Sequence, residues 1–149
     1  MKLVDFLDED FVIADLQART KKEVLAELIQ PLKNKWIDLD LDKVLSVLLD
    51  RENLGTTGIG DGIAIPHGKL EGLKKVVLVI GRSLQGLDFA SLDHQPCHIF
   101  FLVLAPEKVA GMHLRILAHI SRLLQDPSFR QAFLEAPDRK AIVSLLKEA

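Results

Sequence analysis

The sequence lacks the features of several large protein classes. It has one cysteine, Cys97, which excludes an internal disulfide framework and suits a reducing compartment. No apolar run approaches the roughly 18 residues that a helix needs to cross a bilayer. The amino-terminal segment MKLVDFLDEDF is too acidic, and too short in its apolar part, for a signal peptide. These absences predict a cytoplasmic protein that does not insert into a membrane.

Charged residues are mixed along the chain rather than collected in blocks. The formal net charge is −2, and no stretch is strongly basic. Nucleic acids and anionic membrane surfaces attract proteins through clustered Lys and Arg side chains. Neither is therefore expected as a partner.

The sequence also lacks a recognisable metal-binding motif. It contains no HExxH motif and no pair of cysteines. His94 and His98 are four residues apart, but in an extended chain such positions lie about 13 Å from each other. No metal cofactor is therefore expected.

The feature that stands out is a glycine-rich stretch over residues 51–69, RENLGTTGIGDGIAIPHGK, which holds five of the nine glycines. Its spacing fits neither standard nucleotide-binding motif. The third glycine of a Rossmann fingerprint is missing from 58–62, and five residues instead of four separate Gly62 from Gly68. No serine lies in a G-x-S-x-G elbow, and Cys97 lies in an apolar strand, so a hydrolase is not expected either.

The residue type that remains for chemistry is histidine. His67 follows the apolar run 63–65, so we expect it at the end of a short strand, facing out of a rigid frame. A neutral imidazole can accept a phosphoryl group and pass it on, and such a site needs cationic and hydrogen-bonding donors. The donors available in the sequence are Arg51, His113, Thr56 or Thr57 and the glycine amides. Pro66 would position His67 and Gly68 would give steric clearance; the alternative is a glycine-rich turn with a buried Arg–Glu pair.

The other histidines differ in their sequence contexts. His113 lies within the apolar stripe of a predicted helix, so it is either a core histidine or a group that projects into a cleft at the helix start. His119 falls on the opposite side with Arg115 and Arg122, which predicts a solvated basic face. His94 is in a surface loop, and His98 begins a strand where a structural role is expected.

Alternating apolar strands and amphipathic helices predict an α/β fold, with a central sheet flanked by helices on both faces in a single domain. Strands are expected at 11–15, 75–81 and 98–104. A Thr20 cap begins a first helix, and a second runs from Leu41 to about Arg51. Helices also cover 112–125, 128–136 with Ser128 as candidate N-cap, and 140–147.

Two stretches together resemble the fructose/mannitol-type (type-2) EIIA domain of the phosphoenolpyruvate-dependent sugar phosphotransferase system. The first is RENLGTTGIG followed by GIAIPHG within 51–68, and the second is GMHLRILAHISRLL at 111–124. The resemblance covers essentially all of residues 1–149. The second stretch is most similar to the nitrogen-regulatory branch, EIIA-Ntr.

The resemblance implies a role for three residues. His67 would be phosphorylated by a histidine phosphocarrier protein, HPr or its nitrogen-branch relative NPr. His113 would assist by hydrogen bonding, and Arg51 would lie close to the phosphoryl group. The family fold is a mixed five-stranded sheet with helices on both faces, and its members need no metal or nucleotide cofactor.

Two functional classes follow from this resemblance. The protein is either a phosphotransferase component with a phosphohistidine intermediate, or a binding module that regulates transporters or kinases independently of phosphorylation. A phosphotransferase component would act as a nitrogen-branch regulator or relay phosphate to a IIB domain in sugar uptake, and the absence of fused IIB or IIC segments favours regulation. Two positions depart from the family pattern: Met112, where a small or acidic residue is expected, and His94, where glycine is usual.

Overall fold

The computed structural model describes residues 2–108 and 111–149, apart from the side chain of Met112. Within these residues, two short 3-10 helices, Leu3–Phe6 and Glu9–Phe11, precede the main elements. Six α-helices follow in the described chain: Lys21–Ile29 (α1), Leu32–Lys35 (α2), Leu41–Asn53 (α3), Met112–Leu124 (α4), Pro127–Glu135 (α5) and Arg139–Lys147 (α6). No helix in 2–108 or 111–149 combines the length and the apolar composition that a bilayer span requires.

One mixed sheet forms the centre of the molecule. Its strands, over the same described residues, are Val12–Ile13 (β1), Gly58–Gly60 (β2), Ile63–Ala64 (β3), His67–Leu70 (β4), Val77–Leu87 (β5) and Cys97–Pro106 (β6). The spatial order is β1-β5-β6-β3-β2, with β4 also paired to β6. Strands β5 and β6 are antiparallel, whereas β1 is parallel to β5 and both β3 and β4 are parallel to β6.

Strands β3 and β4 occupy a single position in the sheet. Ile63 pairs with Ile99, His67 pairs with Val103, and the register is unchanged across the gap between them. The gap contains Pro66, which has no N–H to donate to a ladder, although its carbonyl accepts from the Val103 N–H at 2.9 Å. The six strands therefore fill five positions, in agreement with the expected sheet of about five strands.

Both faces of the sheet are covered by helices, as the sequence predicted. Phe101 and Val103 of β6 pack in the core formed with α4, α5 and α6. Phe100 and Leu102 point to the other face and pack in the core formed with α1 and α3. All four side chains are fully buried, which explains why β6 is a continuous apolar run rather than an alternating one.

The helix starts are set by local capping. The Thr20 hydroxyl accepts from the Glu23 N–H at 3.2 Å, so the predicted start of α1 is confirmed. The Asp40 carboxylate caps α3 in the same way. Ser128 as the N-cap of α5 is wrong, because Asp126 accepts from the Ser128 N–H and the helix begins at Pro127. Proline suits this first helical position, where its missing N–H costs nothing.

Candidate active site

A cavity of about 440 Å³ lies where α3, β4, β6 and the start of α4 meet. The carboxyl-terminal turn of α3 contributes Arg51, the first residue of β4 is His67, and α4 contributes His113. The fold thus joins three residues that are far apart in the sequence. The full lining is Val47, Asp50, Arg51, Leu54, His67, Gly68, Lys69, Val103 and His113.

The His67 ring is held by a hydrogen bond on each nitrogen. Its Nδ1 lies 2.9 Å from the Ile65 carbonyl, which can only accept, so Nδ1 carries the proton. Arg51 Nε donates to Nε2 at 3.3 Å, so Nε2 carries a free electron pair. Both contacts select the neutral tautomer with Nε2 as the nucleophilic nitrogen.

The surroundings of His67 also favour the neutral ring. Burial lowers its pKa from the ordinary value of 6.5, and the nearby Arg51 guanidinium lowers it further. The Ile65 carbonyl and Glu52 act in the opposite direction but do not reverse the shift. The imidazole is therefore uncharged at neutral pH and available as a nucleophile.

His67 was expected at the end of a short strand, but it is the first residue of β4. Since β3 and β4 share one register, Ile65 and Pro66 form a break in an otherwise continuous strand. The break turns the Ile65 carbonyl away from the ladder and toward the imidazole. Because Pro66 interrupts the strand next to the histidine, Nδ1 of His67 has a fixed backbone acceptor.

Arg51 is anchored at a second point besides His67. Its Nη1 donates to the Gly55 carbonyl at 2.8 Å, while Nε faces the imidazole. The guanidinium is therefore held across the mouth of the cavity by the loop that follows α3. Arg51 does not pair with Glu52, so the alternative of a buried Arg–Glu pair is wrong; Glu52 instead binds Lys21 at 2.8 Å.

His113 lies in the first turn of α4 and lines the cavity together with Lys69. Within the described residues, its Nδ1 is shielded from solvent and has no hydrogen-bond partner. Burial lowers the pKa of His113, and the charges of Lys69 and then His67 lower it further. A buried polar atom without a partner is costly, and the residue itself lines a cavity that can admit a polar ligand.

Gly68 has a different role from the expected one. A Cβ added there would lie 2.8 Å from Cγ1 of Val47 on α3. The missing side chain therefore gives clearance to α3, which packs directly against β4. Because α3 carries Arg51, this close packing sets the distance between the guanidinium and His67.

Thr56 and Thr57 support the loop and do not line the cavity. The Thr56 hydroxyl donates to the Phe89 carbonyl at 3.1 Å and accepts from the Gly58 N–H. The buried Thr57 hydroxyl donates to the Glu52 carboxylate. Neither hydroxyl contacts the His67 ring.

Three charged residues near the site, Asp50, Lys69 and Lys21, were not predicted from the sequence. Asp50 and Lys69 line the cavity, and Lys21 reaches the loop from α1. The position of Lys69 could have been inferred, since it is two residues from His67 on the same strand face. Across the described part of the chain, no group of three or more His, Cys, Asp or Glu side chains is placed to hold a metal ion.

Comparison with known proteins agrees with this geometry. Residues 5–149 match the profile of the family described as "Phosphoenolpyruvate-dependent sugar phosphotransferase system, EIIA 2". The chain belongs to this EIIA 2 family. It is therefore a component of a phosphotransferase system, a class of proteins that transfers phosphoryl groups.

Similar proteins include members of both functional branches of the family. The nitrogen regulatory protein of Bradyrhizobium diazoefficiens is 38% identical over 146 residues, covering 98% of this chain and 95% of that protein. The fructose-specific EIIA component of Haloferax volcanii is 38% identical over 109 residues, covering 73% of this chain and 71% of that protein. The crystal structure of IIA-Ntr from Neisseria meningitidis matches with a TM-score of 0.88 at 27% identity, covering 95% of this chain and 97% of that one.

The remaining titratable groups of the EIIA 2 domain lie outside the cavity. Burial raises the pKa of the Cys97 thiol to about 11, which makes it a poor nucleophile. His98 donates Nδ1–H to the Ser83 carbonyl at 2.8 Å, as a structural residue would. His119 is half-buried beside the exposed Arg115 and Arg122, and its Nε2 is shielded from solvent without a hydrogen-bond partner among the described residues.

The structure accounts for one of the two departures from the family pattern, His94, and does not describe the side chain of the other, Met112. His94 has a φ of 61°, in the left-handed region that glycine adopts without strain. This conformation explains why glycine is usual at that position of the turn. The side chain of Met112 lies outside what the structure describes, so its expected effect on partner contacts stays a prediction.

Proposed function

We propose that this EIIA 2 domain is a phosphocarrier that accepts a phosphoryl group on Nε2 of His67 and has a regulatory role of the nitrogen branch. The donor is a histidine phosphocarrier protein of the HPr or NPr type. The observation that carries the proposal is the pair of hydrogen bonds on the imidazole. Nδ1–H is committed to the Ile65 carbonyl, so Nε2 is directed at the Arg51 guanidinium.

The reaction is a transfer between two nitrogen atoms. A bond forms between His67 Nε2 and phosphorus while the phosphorus–nitrogen bond in the donor breaks, and the bonding electrons remain on the donor nitrogen. The His67 ring gains positive charge as Nε2 uses its electron pair. The Ile65 carbonyl dipole, 2.9 Å from Nδ1, stabilises that charge in place of water.

Arg51 and His113 are the proposed stabilisers of the transferred group. The phosphoryl oxygens carry negative charge in the transition state, and fixed donors around them lower its energy. Arg51 is already held by Gly55, so it can exchange its contact with Nε2 for a phosphoryl oxygen with little reorganisation. His113 lines the same cavity, so its imidazole is the second proposed donor to the phosphoryl oxygens.

The nitrogen-branch role is supported by the extent of the similarity. The nitrogen regulatory relative, at 38% identity, aligns with almost the full length of both chains. The IIA-Ntr structure has nearly the same fold throughout. Transport relay to a IIB domain is the competing function.

The direct test is reconstitution with phosphoenolpyruvate, enzyme I and a histidine phosphocarrier, followed by intact-mass measurement. We expect the mass to increase by one acid-labile phosphoryl group. A protein that stays unmodified, under conditions that load a control EIIA domain, would overturn the phosphocarrier proposal. The loaded protein is then offered to IIB domains, and rapid dephosphorylation by one of them would favour sugar transport over regulation.

A further inference from the structure

Glu52 is a buried carboxylate next to the proposed site but outside its cavity. Its side chain is 3% exposed. Oε1 accepts from the Thr57 N–H at 3.0 Å and binds Lys21 Nζ at 2.8 Å, and Oε2 accepts from the Thr57 hydroxyl. A buried charge is tolerated only when it is paired and hydrogen-bonded in this way.

One hydrogen-bonded route leads from Glu52 to Nδ1 of His67. The carboxylate fixes both donors of Thr57. The Thr57 carbonyl in turn accepts from the Ile65 N–H at 3.0 Å, and the Ile65 carbonyl accepts from His67 Nδ1 at 2.9 Å. The acceptor that sets the tautomer of His67 is thus held in place through Thr57.

A second route leads from Glu52 to Nε2 of the same ring. The backbone carbonyl of Glu52 accepts from the Gly55 N–H at 3.1 Å. The Gly55 carbonyl accepts from Arg51 Nη1, and Arg51 Nε donates to His67 Nε2. The first of these bonds belongs to the backbone of Glu52, whereas its carboxylate holds the same loop at Thr57, two residues beyond Gly55. The carboxylate therefore acts on the guanidinium through the position of this loop.

Lys21 completes this arrangement from α1. Its ammonium lies 4.6 Å from the centroid of the Phe89 ring and 3.4 Å from the Thr56 hydroxyl, in addition to its contact with Glu52. The lysine neutralises the carboxylate where solvent cannot. Without it, Glu52 would be a buried unpaired charge, which destabilises a fold strongly.

We propose that Glu52, with Lys21 as its counter-ion, is a positioning residue for phosphoryl transfer that fixes both the tautomer of His67 and the direction of Arg51. This inference rests on the proposed function of His67. Glu52 itself touches none of the reacting atoms. It acts through Thr57 and Ile65 on one side of the ring and through the Gly55 loop on the other.

The first experiment measures the His67 tautomer directly in the full chain. In Glu52→Gln, one acceptor oxygen becomes an amide donor and the ion pair with Lys21 is lost. Nitrogen-15 shifts of the ring should then show a smaller fraction of the Nδ1–H form than in the wild-type protein. The rate of loading at saturating phosphocarrier should fall by about tenfold, since small misplacement of reacting groups is costly, while KM for the carrier stays unchanged.

Thr57 offers a milder variant that tests the same route. Thr57→Val keeps the shape of the side chain but removes the hydroxyl donor to Glu52, and we expect a smaller change in tautomer and rate in the same direction. Thr57→Ser keeps the hydroxyl and should restore both readouts. If Glu52→Gln does not fold, Thr57→Val and Thr57→Ser together test whether the carboxylate acts on His67 through Thr57.

Arg82→Met is the matched control for stability. Arg82 is a buried charge on β5 whose guanidinium donates to the carbonyls of Ala14, Phe133 and Ala136. Its loss should lower the melting temperature without changing the His67 tautomer or the loading rate per folded molecule. Glu52→Gln should lower the melting temperature and change both of the other readouts.

A purely structural Glu52 would behave like the control. If Glu52→Gln or, where it fails to fold, Thr57→Val keeps the wild-type tautomer and loading rate, the inference is wrong. Failure of the proposed function is distinguishable, since a wild-type protein that accepts no phosphoryl group refutes that function alone. The tautomer measurement needs no phosphoryl donor and still tests the role of Glu52.

Discussion

His67 lies beside Val103 in the second half of β6, His98 is the second residue of β6 itself, and the two rings are held in similar ways. Each directs Nδ1–H at a backbone carbonyl, that of Ile65 for His67 and that of Ser83 for His98. Both side chains are half-buried. The tautomer that leaves Nε2 unprotonated is therefore common to both histidines and does not by itself make a reactive site.

The difference lies in what surrounds Nε2. At His67, Nε2 faces Arg51 and a cavity that Lys69 and His113 also line. At His98, the ring lies over Gly86, where an added Cβ would be 2.7 Å from Nε2. The free electron pair of His67 therefore faces open space and positive charge. At His98, the region around Nε2 is occupied by the backbone of Gly86.

The sharpest test of this comparison exchanges each histidine for alanine. His67→Ala should abolish loading by the phosphocarrier, because it removes Nε2, the proposed acceptor of the phosphoryl group. His98→Ala should load to the wild-type extent, although the loss of its bond to Ser83 lowers stability. Intact-mass measurement of both variants, with melting curves to show that each is folded, checks the result. Loading of His67→Ala would break the comparison.

A smaller effect is expected at His113, whose side chain lines the same cavity. His113→Ala should slow loading by about tenfold, the loss of a single hydrogen bond to a charged group, without unfolding the domain. Rapid-quench kinetics under single-turnover conditions measure this step. Unchanged kinetics would return His113 to the role of a core histidine.

The packing of the His98 ring against Gly86 can be disrupted by adding a side chain at this glycine. Gly86 and Gly72 both have positive φ, near 80°, but only at Gly86 would a side chain meet a neighbour within 4 Å. Gly72→Ala should cost about 1 kcal/mol of unfolding free energy from backbone strain alone, and Gly86→Ala should cost clearly more. Urea unfolding measures both. Equal losses would mean that His98 does not fill that space.

The smallest effect is a shift in the titration of His67. Burial and Arg51 lower its pKa below 6.5, so its ring should remain neutral at a pH where a free histidine is half protonated. Below pH 6.5 the unfolded chain binds this proton before the folded one does. The contribution of His67 to stability is therefore complete above 6.5 and decreases as the pH falls toward its folded pKa.

NMR titration of the histidine rings measures this shift. Arg51→Met should raise the His67 midpoint toward 6.5, since it removes the guanidinium charge that lowers this pKa. A midpoint for His67 at or above 6.5 in the wild-type protein would contradict the assigned environment. His67→Gln should flatten the corresponding slope of unfolding free energy with pH.

Much of the fold could be predicted because its signals are local. Thr20 caps α1 from three residues away, and the apolar run of β6 shows a strand buried on both faces. Strand β5 was predicted only over 75–81 but extends to Leu87. Its second half is polar and pairs with β6 past an irregularity, so neither apolar periodicity nor length indicated it.

The site was predicted in part for the same reason. The motif around His67 and the resemblance indicated Arg51 and His113, and all three line one cavity. The sequence predicts steric clearance for a ligand at Gly68, but the space that this glycine leaves is taken by Val47. The sequence offers Glu52 as a possible partner of the adjacent Arg51, but its ion pair is with Lys21 on another helix.

The sequence by itself determined the contacts that span a few residues. Ile65 lies two residues from His67, and the proline between them interrupts the strand, so the acceptor for Nδ1 is a local property. Only the tertiary structure decided what Nε2 faces. Arg51 and His113 reach it because α3 and α4 pack against the same sheet, and Lys21 pairs with Glu52 because α1 packs beside α3. Such contacts depend on the summed packing of distant elements, which no short stretch of sequence specifies.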